Sequence, residues 1–205
     1  MKSAYIVLDF ETTGLSPQVD RVIEIGAVKV MSGEITDRYQ TLINPRFRIP
    51  SVITQITGIT NQMVATAPDA RSAMNELKQF VGELPILAHN ASFDSRFFFA
   101  EMQRLGHHVQ NEFFCSLLLA RRILPELKGH KLQDLCGHYQ IHNTEAHRAL
   151  ADVLATQQVF TRISGQTKEQ GRMSDITLPV LQKVCKTPKA KVPELLRSNV
   201  LSQNL

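Results

Sequence analysis

Ala4-Tyr5-Ile6-Val7-Leu8-Asp9-Phe10-Glu11-Thr12-Thr13-Gly14 runs from an apolar stretch into two acids and a turn. The apolar part, residues 4–10, is short and unbroken and reads as a buried strand. Alternate residues of a strand share a face, so Asp9 and Glu11 project together from its end. Neighbouring carboxylates repel and are costly to desolvate, which leaves two readings: a cation sits between them, or the strand ends in solvent. On the first reading a hard divalent ion such as Mg²⁺ or Mn²⁺ is the natural occupant, because it prefers oxygen ligands. Thr12, Thr13 and Gly14 then turn away and offer backbone N–H groups to a substrate.

Working outward, residues 21–31 and 35–43 read as two further strands joined at Ser32-Gly33, and Asn44-Pro45 ends that meander. Residues 69–82 carry apolar side chains at helical spacing, with Asp69 as N-cap and Gly82 as stop. Residues 85–88 form a fourth strand, followed by helices over 93–105, 117–124 and 132–139. A long helix covers 145–163, with Ala149, Val153, Phe160 and Ile163 on its buried side. Strands followed by helices interleaved with further strands predict an α/β fold with a mixed sheet. After Gly165 the pattern weakens. Residues 165–205 read as a basic C-terminal extension to a domain over 1–164, with a short helix or docking segment at 176–184. The chain's entire surplus charge of +4 falls in that extension, where it is either an attraction for phosphate or a solvated tail.

Two more acidic signals follow. His89-Asn90-Ala91-Ser92-Phe93-Asp94 leaves the fourth strand and opens a helix, so Asp94 is either an N-cap or part of a site at a strand end. Glu145-Ala146-His147-Arg148-Ala149-Leu150-Ala151-Asp152 is the third. Residues five apart on a helix differ by about 140° in direction. His147 and Asp152 therefore converge only if His147 lies at the helix start or in the loop before it.

These three stretches, in this order, resemble the motifs of the DEDDh exonuclease superfamily, whose fold is ribonuclease-H-like. From Tyr5 to about Phe160 the chain is similar to the proofreading epsilon subunit of bacterial DNA polymerase III and related exonuclease domains. Val22-Ile23-Glu24-Ile25-Gly26-Ala27-Val28, Ile56-Thr57-Gly58-Ile59-Thr60 and Leu118-Leu119-Ala120-Arg121 add to the likeness. The resemblance implies a ribonuclease-H-like mixed β-sheet flanked by α-helices and a metal-dependent 3′-to-5′ exonuclease, releasing nucleoside monophosphates in DNA replication or repair. It implies two divalent ions, Mg²⁺ or Mn²⁺, about 3.5–4 Å apart. Asp9 would share both, Glu11 and Asp152 would complete one site, and Asp94 would act mainly through coordinated water. His147 corresponds to the general base, a role suited to an imidazole near neutral pH. Substrate contacts carried over are the Thr12 backbone at the 3′-hydroxyl, Gly14-Leu15 as a wedge at the terminal base, and Thr57 near the terminal nucleotide. The resemblance also implies that His89, Asn90 and Phe93 line or brace the pocket.

Composition agrees with a globular chain, at 43% apolar and 20% charged residues. No apolar run is long enough to cross a bilayer, and Asp9 interrupts the N-terminus where a leader needs apolar residues. A cytoplasmic location without membrane contact is the expectation. The three cysteines, Cys115, Cys136 and Cys185, form no CxxC pair and read as reduced thiols. Cys136, His138 and His142 do not match a zinc spacing. No polymerase segment is recognisable, so proofreading would need a polymerase or clamp in trans, and a homodimer is left open. An exoribonuclease of the same superfamily and a non-catalytic nucleic-acid-binding module remain as alternatives. The second sits poorly with the filled set of acids.

Overall fold

Strand β1 (Ala4–Thr12) is the middle of a five-stranded sheet of order β3-β2-β1-β4-β5. The computed structural model describes residues 4–203, with side chains through Ser198. Residues 1–3, read above as part of the N-terminus, and the last two residues of the 165–205 segment lie outside the described residues. β2 (Val22–Met31) and β3 (Glu34–Leu42) form the expected antiparallel meander. β4 (Ile86–Ala88) joins β1 in parallel, and β5 (Phe113–Cys115) joins β4 in parallel. The sheet is therefore mixed, as the pattern predicts.

The alternation of β1 sorts the core. Ile6, Leu8 and Phe10 enter one cluster, covered by α3 (Ala70–Val81) and α4 (Ser92–Arg104). Tyr5 and Val7 enter the other, covered by α5 (Ser116–Ile123), α6 (Leu132–Tyr139) and α7 (Ala149–Gly171). Tyr5, Phe114 and Phe160 meet edge to face within it, at 5.5–6.1 Å between ring centroids. α3 starts at Asp69, whose carboxylate accepts the Ser72 N–H at 3.0 Å, and stops at Gly82.

Several short elements were not legible. α1 (Ser51–Thr57) and α2 (Asn61–Val64) cover a small cluster of Ile23, Ile49, Ile59 and Val64, and β5 is three residues long. At these lengths periodicity carries little signal. The long helix begins at Ala149, not 145, because His147 sits in the left-handed region at φ 65° and the N-cap Arg148 is extended. Its other end runs through the 164/165 boundary to Gly171. Beyond it, α8 (Leu178–Lys186) and α9 (Val192–Gln203) follow. Met173, Ile176, Leu181, Val184 and Leu196 are buried in the same cluster as Tyr5 and Val7, so this segment adds to the core of the sheet.

Gly26 in β2 is a contact point. A Cβ there would lie 2.4 Å from the Ala149 carbonyl carbon and 2.5 Å from the Leu150 nitrogen. The first turn of α7 thus rests on bare strand backbone. Gly165, within α7, has open space where a methyl group would stand, with nothing within 4 Å. Gly26→Ala is expected to cost at least the ~1–3 kcal/mol of core overpacking. Gly165→Ala is expected to gain about 0.5–1 kcal/mol from helix propensity. Urea denaturation of both variants checks the pair, and equal effects would contradict the packing described.

A candidate active site at the end of the central strand

Past the pairing of β1 with β4, the next free N–H of β1 is that of Phe10. It goes to Asp94 Oδ1 at 3.2 Å, from the first turn of α4. Asp94 is thereby drawn to the strand end that carries Asp9 and Glu11, and it is buried, with 2% of its surface exposed. Asp152 arrives from the first turn of α7. Its Oδ1 accepts from Asn143 Nδ2 at 2.6 Å and its Oδ2 from the His147 N–H at 3.1 Å. The exposed His147 immediately precedes the N-cap. One ligand atom from each of Glu11, His147 and Asp152 lies within 4.8 Å of the others. Among the described residues no such grouping includes Cys136, His138 or His142.

The electrostatics record the crowding. Asp9 is pushed well above the carboxylate range, first by burial and then by Asp94, Glu11, Asp152 and Glu24. Glu11 rises to about 8, by burial first and then by Asp152 and Glu24. Asp94 rises to about 7 through burial, against the opposing Phe10 N–H. Burial also raises Asp152, despite Asn143 and His147. A half-buried cluster of oxygen donors that repel one another when ionised, with an imidazole at its edge, fits hard divalent cations.

Two residues that sequence reasoning did not assign to the site hold it in place. Glu24, opposite Glu11 in the β1–β2 ladder, is fully buried. Its carboxylate takes Arg148 Nη2 at 2.8 Å, Arg148 Nε at 3.2 and 3.3 Å, and the Ala149 N–H at 3.1 Å. It clamps the start of α7 while Gly26 seats it. The available signal was an acid and a glycine inside an otherwise apolar strand. Asp20 does the same for the turn. It accepts from Thr13 Oγ1 at 3.1 Å and the Ser16 N–H at 2.9 Å, and its carboxylate fills the space where a Gly14 Cβ would stand. Arg104, itself paired with the buried Glu101, binds the carbonyls of Pro17 and Gln18. The pinned turn presents Leu15 to solvent, 78% exposed.

The remaining candidates divide by what their polar atoms already do. Thr12 Oγ1 donates to the Gly14 carbonyl at 2.5 Å. His89 spends both ring nitrogens, on Ser116 Oγ at 2.9 Å and the His130 carbonyl at 3.0 Å. Asn90 is exposed at φ 65°. Phe93 packs on Phe97, 5.0 Å between ring centroids. Thr57 is buried, donating to the Ile53 carbonyl at 2.9 Å and accepting the Ile59 N–H at 3.1 Å.

Comparison with known proteins agrees with this geometry. The exonuclease family model RNase_T matches residues 6–160. PolC-type DNA polymerase III of Staphylococcus aureus is 40% identical over 170 residues, covering 82% of this chain and 12% of the relative. That of Bacillus cereus is 37% identical over 171 residues, covering 83% and 12%. The chain therefore spans about 12% of the length of the curated relatives it matches. Exonuclease X, solved in complex with 5′ overhanging duplex DNA, superposes with a TM-score of 0.70 at 26% identity, covering 88% of this chain and 99% of that one. Escherichia coli exonuclease I, solved with a dT13 oligonucleotide, has a TM-score of 0.73 at 20% identity, covering 82% of this chain and 42% of that one, a likeness of fold.

The raised carboxyls have a thermodynamic consequence. From the ordinary carboxylate range up to about pH 8, the metal-free native state keeps protons on Glu11 and Asp94 that the unfolded chain releases. Stability contributed by these protons is present at low pH and lost as pH rises through that window. In EDTA the Tm is expected to fall between pH 5 and 8.5, and Mg²⁺ is expected to raise it more at 8.5 than at 5. A Tm in EDTA that rises over this range would contradict the assignment.

Proposed function

The chain belongs to the RNase_T exonuclease family, and from that premise we propose a metal-dependent 3′-to-5′ exonuclease that shortens DNA from its 3′ end. The observation that supports the reading is the gathering of Glu11, His147 and Asp152 within 4.8 Å at the end of β1, with Asp9 on the same strand and Asp94 tied to it through the Phe10 N–H. Family membership implies divalent metal ions, and the donor set suits Mg²⁺ or Mn²⁺. Asp9, Glu11, Asp94 and Asp152 would hold them. Bound there, the ions supply the positive charge that lets an anionic phosphate enter an acidic pocket.

The chain's own residues do the rest. His147 stands exposed at the edge of the cluster, held by its backbone to Asp152. It takes a proton from the water that attacks the terminal phosphodiester. Glu24 and Arg148 keep His147 and Asp152 in register through the start of α7. The Thr12 and Gly14 backbone meets the terminal nucleotide, and Leu15 wedges against its base. Asn90 reaches the strand from the opposite lip, and His89 braces that lip from inside. Phe93 and Thr57 support the walls. DNA as substrate is supported by exonuclease X, solved with duplex DNA, and by the polymerase relatives. A cytoplasmic enzyme that proofreads with a polymerase or clamp, or repairs ends alone, is the corresponding biology.

Incubating 5′-labelled single-stranded DNA and its RNA counterpart with Mg²⁺ or EDTA tests this. The expected result is a ladder shortening from the 3′ end of DNA, absent in EDTA and in Asp9→Ala. His147→Ala is expected to lower the rate by about 10²–10⁴-fold, the usual range for a general base. Preferential loss of RNA would move the substrate, and no shortening of either would overturn the reading.

A further inference from the structure

A trough of about 500 Å³ lies between α5, the loop after it and the start of α6, with Asn90, Arg121, Lys128, His130, Lys131 and Asp134 among its lining residues. His89 and Asn90 follow the C-terminal end of β4, which runs parallel to β1, so the trough lies on the same edge of the sheet as Asp9 and Glu11. Arg121, Lys128 and Lys131 are exposed. None of them takes part in an ion pair found among the described residues. The acid in this lining, Asp134, is occupied at the helix start, where its Oδ2 accepts the Lys131 N–H at 2.9 Å.

The frame under these cations is rigid. His89 ties α5 to the loop through Ser116 Oγ and the His130 carbonyl. Burial depresses its pKa to about 4, so it is a neutral strut. The other ring of the strut pair, His130, binds the Leu124 carbonyl through Nε2 at 2.9 Å. Three long cationic side chains on one wall outnumber its single acid, Asp134, and suit a polyanion with regularly spaced charges. Such contacts position a strand without reading its bases.

We propose that this trough holds the phosphodiester backbone of the substrate strand upstream of its 3′ end, through Arg121, Lys128 and Lys131. It rests on the exonuclease reading above, and it adds a track that keeps the strand in place independently of sequence. Each phosphate contact on a single strand contributes about 0.7 to the slope of log K against log salt.

The test is fluorescence anisotropy with 5′-labelled 3-mer and 12-mer oligothymidylates carrying a 3′-terminal phosphorothioate, in Mg²⁺ across a KCl series, with a gel of an unmodified 12-mer in parallel. For the 12-mer, Arg121→Gln/Lys128→Gln is expected to lower the salt slope by about 1.4, two contacts' worth, and to erase most of its affinity advantage over the 3-mer. Lys128→Arg should retain the slope. Arg38→Gln/Arg71→Gln, the same charge change on exposed positions elsewhere, should leave it unaltered. If the 12-mer is shortened but the trough variant keeps the wild-type slope, the track is overturned and the exonuclease stands. If no shortening occurs yet the slope falls, the trough is a nucleic-acid site and the exonuclease reading fails.

Discussion

Four carboxylates brought together at the partly buried end of one strand repel one another, and this constraint shapes the molecule. Asp9 and Glu11 share a face because β1 alternates. Asp94 is drawn in by the Phe10 N–H, left free where β4 ends, and Asp152 is fixed by Asn143 and the His147 N–H. Each of these hydrogen bonds favours the charged form, yet burial raises every one of the four carboxyls. The fold stores a cost that divalent cations can release. Glu24, fully buried beside them, is instead paired with Arg148, which gives the site a fixed edge.

The supports are of a different kind from the ligands. Gly26 and Glu24 on β2 seat and clamp α7, Asp20 shapes the turn after β1, and Glu101 pins that turn through Arg104. Glu24 meets Arg148, and Arg104 meets Pro17, across long stretches of chain, and such separations make these supports invisible to local pattern. The C-terminal segment extends the same logic. Its helices close the cluster behind β1, with Arg122 Nε donating to the Thr187 carbonyl at 2.7 Å.

Legibility followed the range of the interactions. The β1–β3 meander was readable because alternation and the Ser32-Gly33 turn act between neighbours. α3 was readable from Asp69 and Gly82. β5, α1 and α2 were too short for any period. The start of the long helix was misplaced because nothing local stops it at 149. The break comes from His147 at φ 65° and Arg148 held by Glu24 across the sheet. The acids themselves were visible as motifs, and the fold gathers them through contacts such as Phe10 with Asp94 that no motif spells out.

The central claim is that this cluster exists to hold divalent cations. Titrating Mn²⁺ into EDTA-stripped, dialysed protein while following the EPR signal of the free ion measures that directly. The account predicts saturable uptake of about two ions per chain, as a two-metal site requires, and its loss in Asp9→Asn. A free-ion signal that rises from the first addition, or uptake that is the same in wild type and Asp9→Asn, would contradict it.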